Sequence, residues 1–397
     1  MKQIITIIFI LTSYLSSKAQ DSFYNYVELG EYSIGYFDSI IYNPEISYQQ
    51  FGYVGSTPIF AKIWFPLESV KNQNFLSFGS LMSDNTTDEL SEVYQNLSNH
   101  LDDIFIRDGI EFNILTGETI DYRNIGTKEV LSHVKLLKTK SIASKIKSKS
   151  EYPVIVYHHG SQGSSAENSI MAEYFASRGY IFVSANFHLP YSSMPFGLLP
   201  IELEKQNKHD QSTAKTLIKF AKTLTRNKQL YFIGHSWGAQ EGWCFLNDSS
   251  YATAFISMET TIEYKTDSTK IKEIWPYVYD ALKVKKNEFS IPILAFAAKE
   301  EGMNFDFFKN VSSKEMICAS YLEPFTHNSY TSSFMMRYFL DDTLKQPDTE
   351  IMLTQIKGYA QHLELINTFL VSQKNDKNIT DFKKFDRQFE IIQGSKF

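Results

Sequence analysis

Six short, nearly continuous apolar runs, separated by helix-like segments, set the strongest limit on how this chain folds. Strands that are apolar on both faces belong to parallel sheets with helices on each side, and alternation with helices is typical of such sheets. Residues 165–178 and 210–224 have the apolar spacing of helices. We therefore predict an α/β fold with a mostly parallel central sheet. The six predicted strands are 153–157, 180–185, 230–233, 252–258, 292–298 and 316–321.

The rest of the chain is arranged around this predicted sheet. Residues 32–42 and 58–65 are two more predicted strands, which form an antiparallel start to the sheet. We find no internal repeat or linker, so residues 20–397 are predicted to be one domain. Its predicted additions are a helical insertion at 66–150, a cap-like insertion at 263–290 and a C-terminal helical extension at 346–397.

The first 19 residues have the pattern of a secretory signal peptide. Lys2 precedes an apolar run that begins at Ile4, and Ser17-Lys18-Ala19 supplies small residues before Gln20. A membrane anchor needs about 20 apolar residues, so we expect no stable anchor. The chain is predicted to be exported, to the periplasm or beyond, after cleavage before Gln20.

Charge and cysteine content exclude several kinds of partner. The chain has 39 Lys and Arg against 45 Asp and Glu, a net charge of −6, and no dense basic run, so nucleic acid is not an expected partner. Two cysteines, Cys244 and Cys318, supply neither a disulfide framework nor a four-ligand zinc site. His158, His159 and His235 have no acidic residue at ligand spacing, so we expect no metal.

The segment Gly234-His235-Ser236-Trp237-Gly238 follows a predicted strand and precedes a predicted helix. A serine with glycine two positions before and after it, in this context, is the nucleophile elbow of acyl-transfer enzymes. The glycines let strand and helix approach closely while the serine occupies a strained turn. Ser236 is therefore the predicted nucleophile.

An oxyanion hole and a general base are the next requirements of such a serine. The backbone N–H of Trp237 is one expected donor, and the glycine-rich turn at 158–163 offers Ser161 as the other, with Gln162 beside it. In the order serine, acid, histidine, only His327 and His362 remain as bases. His362 falls within a helical stretch, whereas His327 follows the last predicted strand and is the predicted base.

The acid has two candidate positions. Glu259 ends one predicted strand, while Glu300 and Glu301 follow the next. Carboxyl ends of parallel strands meet at one edge of a sheet, and a carboxylate at either position could orient the imidazole. The residues alone leave both open.

Several segments together resemble secreted or periplasmic α/β hydrolases similar to the platelet-activating-factor acetylhydrolases, within the wider group of dienelactone-hydrolase-like esterases. The resemblance covers most of residues 29–345 and implies the α/β-hydrolase fold, a serine esterase activity and no cofactor. It places the acid at Glu259, where the family usually has Asp. The segments are LGEYSIGYFD (29–38), PIFAKIWFP (58–66), YPVIVYHHGSQGS (152–164), ASRGYIFVSANFH (176–188), FIGHSWGAQ (232–240) and FTHNSYTSSF (325–334).

The substrate is less constrained than the mechanism. Aromatic side chains in loops could wall an apolar pocket or simply pack on the core, and the sequence leaves both open. We expect a small-molecule ester with a short or lipid-like acyl chain. Alternatives are a carbohydrate or polyester esterase, a serine peptidase, or an inactive binding protein on a hydrolase scaffold. The candidate pocket residues are Phe187, Tyr191, Phe196, Trp275 and Tyr277.

Overall fold

A computed structural model gives the arrangement of most of the chain. The predicted signal peptide lies outside the residues that it describes. None of the described helices is both long enough and apolar enough to cross a membrane. The described residues are 22–68, 74–106, 110, 112–113, 118–119, 127–146, 149–161, 163–193, 211–260, 262, 268–284, 288–298, 311–341, 344, 349–374 and 382–393.

One large sheet dominates the described part of the chain. Its eleven strands run in the order β15-β14-β12-β10-β9-β7-β8-β2-β1-β6-β3, and β11–β13 and β4–β5 form two small separate pairs. In chain order the strands are β1 (Ser33–Gln50), β2 (Tyr53–Leu67), β3 (Phe75–Ser77), β4 (Phe112–Asn113), β5 (Glu118–Thr119), β6 (Lys138–Ala143), β7 (Val154–His158), β8 (Ile181–Asn186), β9 (Leu230–His235), β10 (Ala254–Met258), β11 (Glu288–Phe289), β12 (Ile293–Ala297), β13 (Ser312–Ser313), β14 (Met316–Tyr321) and β15 (Phe389–Gln393).

The centre of this sheet is parallel. Strands β8, β7, β9, β10, β12 and β14 pair in parallel, and each is buried along its whole length. Strands β1 and β2 form an antiparallel hairpin, and β2 joins β8 antiparallel. This order, with a strand-turn-helix unit after β9, is the α/β-hydrolase arrangement. The fold class predicted from the sequence is therefore confirmed.

Helices cover both faces of the sheet. Along β7, Ile155 and Tyr157 belong to one buried cluster while Val154 and Val156 belong to another, because successive strand side chains point to opposite faces. The described helices are α1 (Phe78–Met82), α2 (Ser91–Phe105), α3 (Thr127–Leu136), α4 (Ser169–Ala176), α5 (Gln211–Thr223), α6 (Trp237–Phe245), α7 (Ser268–Ile274), α8 (Pro276–Tyr279) and α9 (Thr349–Lys374).

Helices α4 and α9 add buried residues to the first cluster, and α5 and α6 add theirs to the second. In α5 the buried positions include Leu217, Ile218 and Ala221, which recur at helical spacing. The two faces of the sheet are therefore both dry, as parallel strands require.

Some strands escaped the sequence analysis. Residues 66–150 contain helices α1 to α3, but also β3 and β6, which extend the main sheet beside β1. At the other edge, β15 near the chain end pairs antiparallel with β14. Strand β3 is three residues long and β6 alternates buried with partly exposed residues. Such short or partly exposed segments lack the continuous apolar run that revealed the central strands.

Candidate active site

Ser236 occupies the turn between β9 and α6. Its backbone has φ 51° and ψ −116°, a left-handed conformation that a residue with a side chain adopts only when its surroundings enforce it. A Cβ atom on Gly234 would lie 2.5 Å from the backbone nitrogen of Ala239, and one on Gly238 would lie 2.3 Å from the carbonyl oxygen of His158. Both glycines are therefore required for strand, helix and neighbouring loop to approach Ser236.

Glu259 directly follows β10, the strand beside the elbow strand. The backbone N–H of Ser236 donates to the carbonyl of Met258, 3.0 Å away, so nucleophile and acid leave adjacent strands at the same level. Glu259 is fully buried and has φ 46°. Its own N–H donates to Phe296 O on β12 at 2.9 Å. The structure thus holds this carboxylate at the carboxyl end of the parallel strands, in a second strained backbone position.

His327 follows β14 and begins a short 3₁₀ turn, His327–Tyr330. Its Nδ1 contacts Oε2 of Glu259, and 33% of its side chain is exposed. The turn is held from both sides: the Thr326 N–H donates to Ser329 Oγ at 3.1 Å, and Ser329 Oγ also donates to Gln355 on α9. The structure thus brings together the predicted base and the predicted acid Glu259, while Glu300 and Glu301 lie outside the described residues.

The proton state of His327 follows from its neighbours. Burial, and then the charge of nearby His235, lowers the pKa of His327 below the ordinary imidazole value. Contact with the Glu259 carboxylate favours the protonated form and opposes this shift. A neutral imidazole held by a carboxylate at Nδ1 leaves Nε2 to accept a proton, which is the role of a general base.

A second buried pair lies behind the base. His235 Nε2 donates to the backbone carbonyl of His327 at 3.0 Å, and His235 Nδ1 lies 3.9 Å from Oε1 of Glu167. Glu167 also accepts a 2.5 Å hydrogen bond from the hydroxyl of Tyr157. Burial raises the pKa of Glu167, but its interactions with His235, His159 and Tyr157 outweigh burial and lower the pKa. Through His235, this pair fixes the backbone of the loop that carries His327 against the elbow.

The two predicted oxyanion donors flank the elbow. Trp237 is the first residue of α6, where backbone N–H groups point out of the helix end. Ser161 lies in the turn after β7. Its neighbour Gly160 packs against the nucleophile, because a Cβ added there would lie 3.3 Å from Ser236 Cβ and 3.7 Å from Ser236 Oγ. Gln162 lies outside the described residues.

The candidate pocket residues have varied surroundings. Phe187 is half-buried, and its ring stacks on His158 at 3.6 Å between centroids. Tyr191 meets Tyr48 edge-on. Trp275 is half-buried against the second core cluster, which is the packing role left open by the sequence. Tyr277 on α8 is 41% exposed, and Phe196 lies outside the described residues.

Sequence reasoning missed the polar residues that support the site. Glu167 leaves no signal in the sequence, because one carboxylate before a helix is unremarkable, and His188 lies in a segment whose neighbouring residues are mostly apolar. In the sequence alone, the side chains of His159 and His235 suggest only a metal site, which their spacing does not support. Within the described ranges, no group of three or more His, Cys, Asp or Glu side chains is placed to hold a metal ion. A search for several histidines close to one glycine-rich turn would have found the cluster.

No family model and no curated protein sequence matches this chain. Several solved structures are similar to it. A ferulic acid esterase from Streptomyces cinnamoneus is 12% identical over 88% of this chain and 92% of that one, with a TM-score of 0.48. Est1E from Butyrivibrio proteoclasticus, with ferulic acid bound, is 16% identical over 54% and 90%, with a TM-score of 0.31. An acylaminoacyl peptidase from Pyrococcus horikoshii is 15% identical over 53% and 41%, with a TM-score of 0.35. At such identities none of these proteins indicates what this chain acts on.

Proposed function

We propose that this protein is a serine hydrolase that cleaves carboxylic esters through an acyl-enzyme. One observation carries the proposal: Ser236 sits in a strained elbow whose preceding residue, His235, bonds the backbone of His327, and Nδ1 of His327 contacts a fully buried carboxylate. Nucleophile, acid and base follow β9, β10 and β14 of the same sheet, with β12 between β10 and β14, and supply the three groups that acyl transfer requires.

The proposed reaction has two steps. His327 Nε2 takes the Ser236 hydroxyl proton as the oxygen attacks the ester carbonyl, and the resulting oxyanion is bound by the N–H groups of Trp237 and Ser161. His327 then gives the proton to the leaving alcohol as the ester C–O bond breaks. Water, activated by the same histidine, releases the acid and restores Ser236. The negative charge of Glu259 stabilises the imidazolium that forms in each step.

A serine-specific test separates this proposal from an inactive binding protein. Ser236→Ala should abolish hydrolysis of p-nitrophenyl acetate and labelling by a fluorophosphonate probe. Ser132→Ala, at an exposed serine of α3, is the matched control and should retain both. Absence of probe labelling on the wild-type protein would support the binding alternative and contradict the proposed activity.

For the substrate we propose a small ester with a short or lipid-like acyl chain, as in platelet-activating-factor acetylhydrolases. The half-buried aromatic Phe187, beside the oxyanion turn, supports an apolar acyl site. A substrate panel tests the choice: p-nitrophenyl esters of increasing chain length, an acetylated phospholipid, an acetylated sugar, a hydroxycinnamoyl ester and a peptide amide. If kcat/KM is highest for the sugar, hydroxycinnamoyl or peptide substrate, the lipid-like proposal is wrong. The assignment of Ser236 as the nucleophile would still stand.

We also propose that the chain is exported and cleaved before Gln20. The support is the pattern of residues 1–19 described above. The mass of the N-terminal peptide from protein secreted by a bacterial host checks it. A mature product that begins at Met1 and stays in the cytoplasm would contradict it.

A further inference from the structure

Three successive carbonyl groups at the oxyanion turn each bind an imidazole. His158 Nδ1 lies 2.8 Å from His159 O, His159 Nδ1 lies 2.6 Å from Gly160 O, and His188 Nδ1 lies 2.6 Å from Ser161 O. A carbonyl oxygen only accepts hydrogen bonds, so each Nδ1 must carry a proton. The turn is therefore tied down by imidazole N–H groups at every peptide from His159 to Ser161.

The proton states of these rings are constrained further. The backbone N–H of Phe187 donates to His159 Nε2 at 3.1 Å, which requires that nitrogen to be unprotonated. Burial, followed by the charge of His188, lowers the pKa of His159 well below its ordinary value. His159 is thus a neutral ring in which both nitrogens are hydrogen-bonded. Nδ1 donates to the oxyanion turn, and Nε2 accepts from the loop after β8.

These bonds orient the expected oxyanion donor. In a trans peptide the C=O and the following N–H point in opposite directions within one plane. When His159 holds the carbonyl of Gly160, the N–H of Ser161 is fixed in the opposite direction within the same plane. His188 holds the next peptide through the Ser161 carbonyl, so Ser161 lies between two fixed peptide planes. Gly160, which begins this pair, is the residue that packs on Ser236.

His188 also reaches the second donor. It is 5% exposed, and its ring meets that of Trp237 edge-on, with centroids 6.2 Å apart at 88°. His188 belongs to the loop after β8, two residues beyond the end of that strand. From there it contacts both the turn after β7 and the first residue of α6. We propose that His188 is a positioning residue that, with His159, fixes the oxyanion hole. This inference rests on the proposed role of Ser236.

A residue that only orients donors should change the transition state more than substrate binding. Loss of one oxyanion donor reduces kcat by about 10²–10³-fold, and a misplaced donor should cost less. We therefore expect His188→Phe, which keeps a ring beside Trp237 but has no N–H, to lower kcat by about 10- to 100-fold. Its KM for p-nitrophenyl acetate should stay within about twofold.

A conservative variant separates donation from packing. His188→Asn places an amide nitrogen where Nδ1 stands and can make the same bond to Ser161 O, so it should recover most of kcat. His188→Gln carries the same amide one bond further out and should resemble His188→Phe. Inhibition by a trifluoromethyl ketone, whose adduct with serine carries an oxyanion, should weaken in proportion to kcat. Thermal unfolding checks that each variant folds.

Two results would overturn the inference: wild-type kcat in His188→Phe, or equal impairment of His188→Asn and His188→Phe in folded protein. If His188→Phe does not fold, the comparison of Asn with Gln decides by the same criterion. Failure of the proposed function is seen separately, as absence of fluorophosphonate labelling at Ser236 in the wild-type protein.

Discussion

At the scale of single residues, the site depends on where protons and charges are held. Glu259 is a fully buried carboxylate against Nδ1 of His327, while His235, bonded to the backbone of the same histidine, opposes its protonation. Glu167 lies beyond His235 and keeps a lowered pKa. Carboxylates thus face both imidazoles, and the charge that forms on His327 during turnover is stabilised locally.

The acid assignment predicts a large effect of charge removal. Glu259→Gln keeps the size of the side chain but removes the charge that stabilises the imidazolium, so kcat should fall by about 10⁴-fold. Glu288→Gln, at an exposed position on β11, should leave kcat unchanged. Steady-state kinetics on p-nitrophenyl acetate measure both. A comparable loss in Glu300→Gln or Glu301→Gln, with Glu259→Gln active, would move the acid to the later loop.

The proton state of His327 predicts the acid limb of the pH profile. A general base works when it is neutral, so kcat/KM should rise with pH as His327 loses its proton. Because burial and His235 lower its pKa, the midpoint should lie below the ordinary imidazole value of about 6.5. Rates of p-nitrophenyl acetate hydrolysis, measured from about two pH units below that value to about two above it, locate the midpoint. A midpoint above the ordinary value would show that Glu259 dominates instead.

At the scale of elements, close approach of backbone segments builds the site. Helix α6 begins directly after Ser236, and Gly238 in its first turn lies against the carbonyl of His158 at the end of β7. On the other side, Gln355 on α9 binds both Ser329 and the carbonyl of Pro324, and so anchors the loop that carries His327. Three segments build the site: the elbow, the oxyanion turn and the loop that carries His327. Each of them packs against an element from elsewhere in the chain.

Filling the space at Gly238 should damage both stability and activity. A Cβ there would lie 2.3 Å from His158 O and 2.6 Å from His158 Nδ1, so Gly238→Ala must move α6 or the oxyanion turn. We expect a loss of about 1–3 kcal/mol in the free energy of unfolding and a lower kcat in the protein that remains folded. Urea unfolding and active-site titration measure the two effects.

Gly52 is the matched control for that variant. It is exposed in the β1–β2 hairpin with φ 75°, and a Cβ there meets only the Glu92 carboxylate, at 3.7 Å. Gly52→Ala should cost about 1–2 kcal/mol from backbone strain but leave kcat intact. Normal kcat in folded Gly238→Ala would contradict the close-approach argument.

At the scale of the whole molecule, one sheet separates two apolar clusters, and most aromatic side chains belong to them. Helix α9 buries His362 in the first cluster, where its ring stacks on Phe325 with centroids 4.4 Å apart. Burial lowers the pKa of His362 to about 3, so the folded protein holds this ring neutral. The second histidine considered as a base is therefore part of the core.

The buried His362 predicts acid sensitivity of the fold. Below about pH 6.5 the unfolded chain takes up a proton at this ring, while the folded chain does so only near pH 3. Stability from this group is thus complete above about pH 6.5 and falls as pH drops, by up to about 1.4 kcal/mol per pH unit. His362→Phe should flatten that loss relative to wild type, as measured by urea unfolding across pH.

His133 on α3, a partly exposed residue whose ring nitrogen bonds the carbonyl of Glu129, provides the control. His133→Phe should keep the wild-type slope of unfolding free energy against pH. Equal slopes for His362→Phe and wild type would mean that His362 does not resist protonation in the folded state.

A feature could be predicted from the sequence when it restricts which residue types can occupy its positions. The sequence predicts the six central strands to within two residues at every end, because a doubly buried strand must be apolar throughout. The elbow was found because its steric demands fix residue types at set spacing. Strands β3, β6 and β15 were missed because edge pairing requires little of their side chains.

The sequence by itself determined the parallel centre of the sheet, the elbow at Ser236 and the few candidate partners of that serine, because these depend on local periodicity, on glycine positions and on the order of residues along the chain. Only the tertiary structure decided that Glu259 meets His327, that Glu167 lies behind His235, and that His159 and His188 hold the oxyanion turn. Apart from the bond between His159 and its neighbour Gly160, those contacts join segments that are far apart in the chain, where no local sequence pattern is needed. Their geometry is set by how the strands align in the sheet, and one sequence read along its length contains no direct record of that alignment.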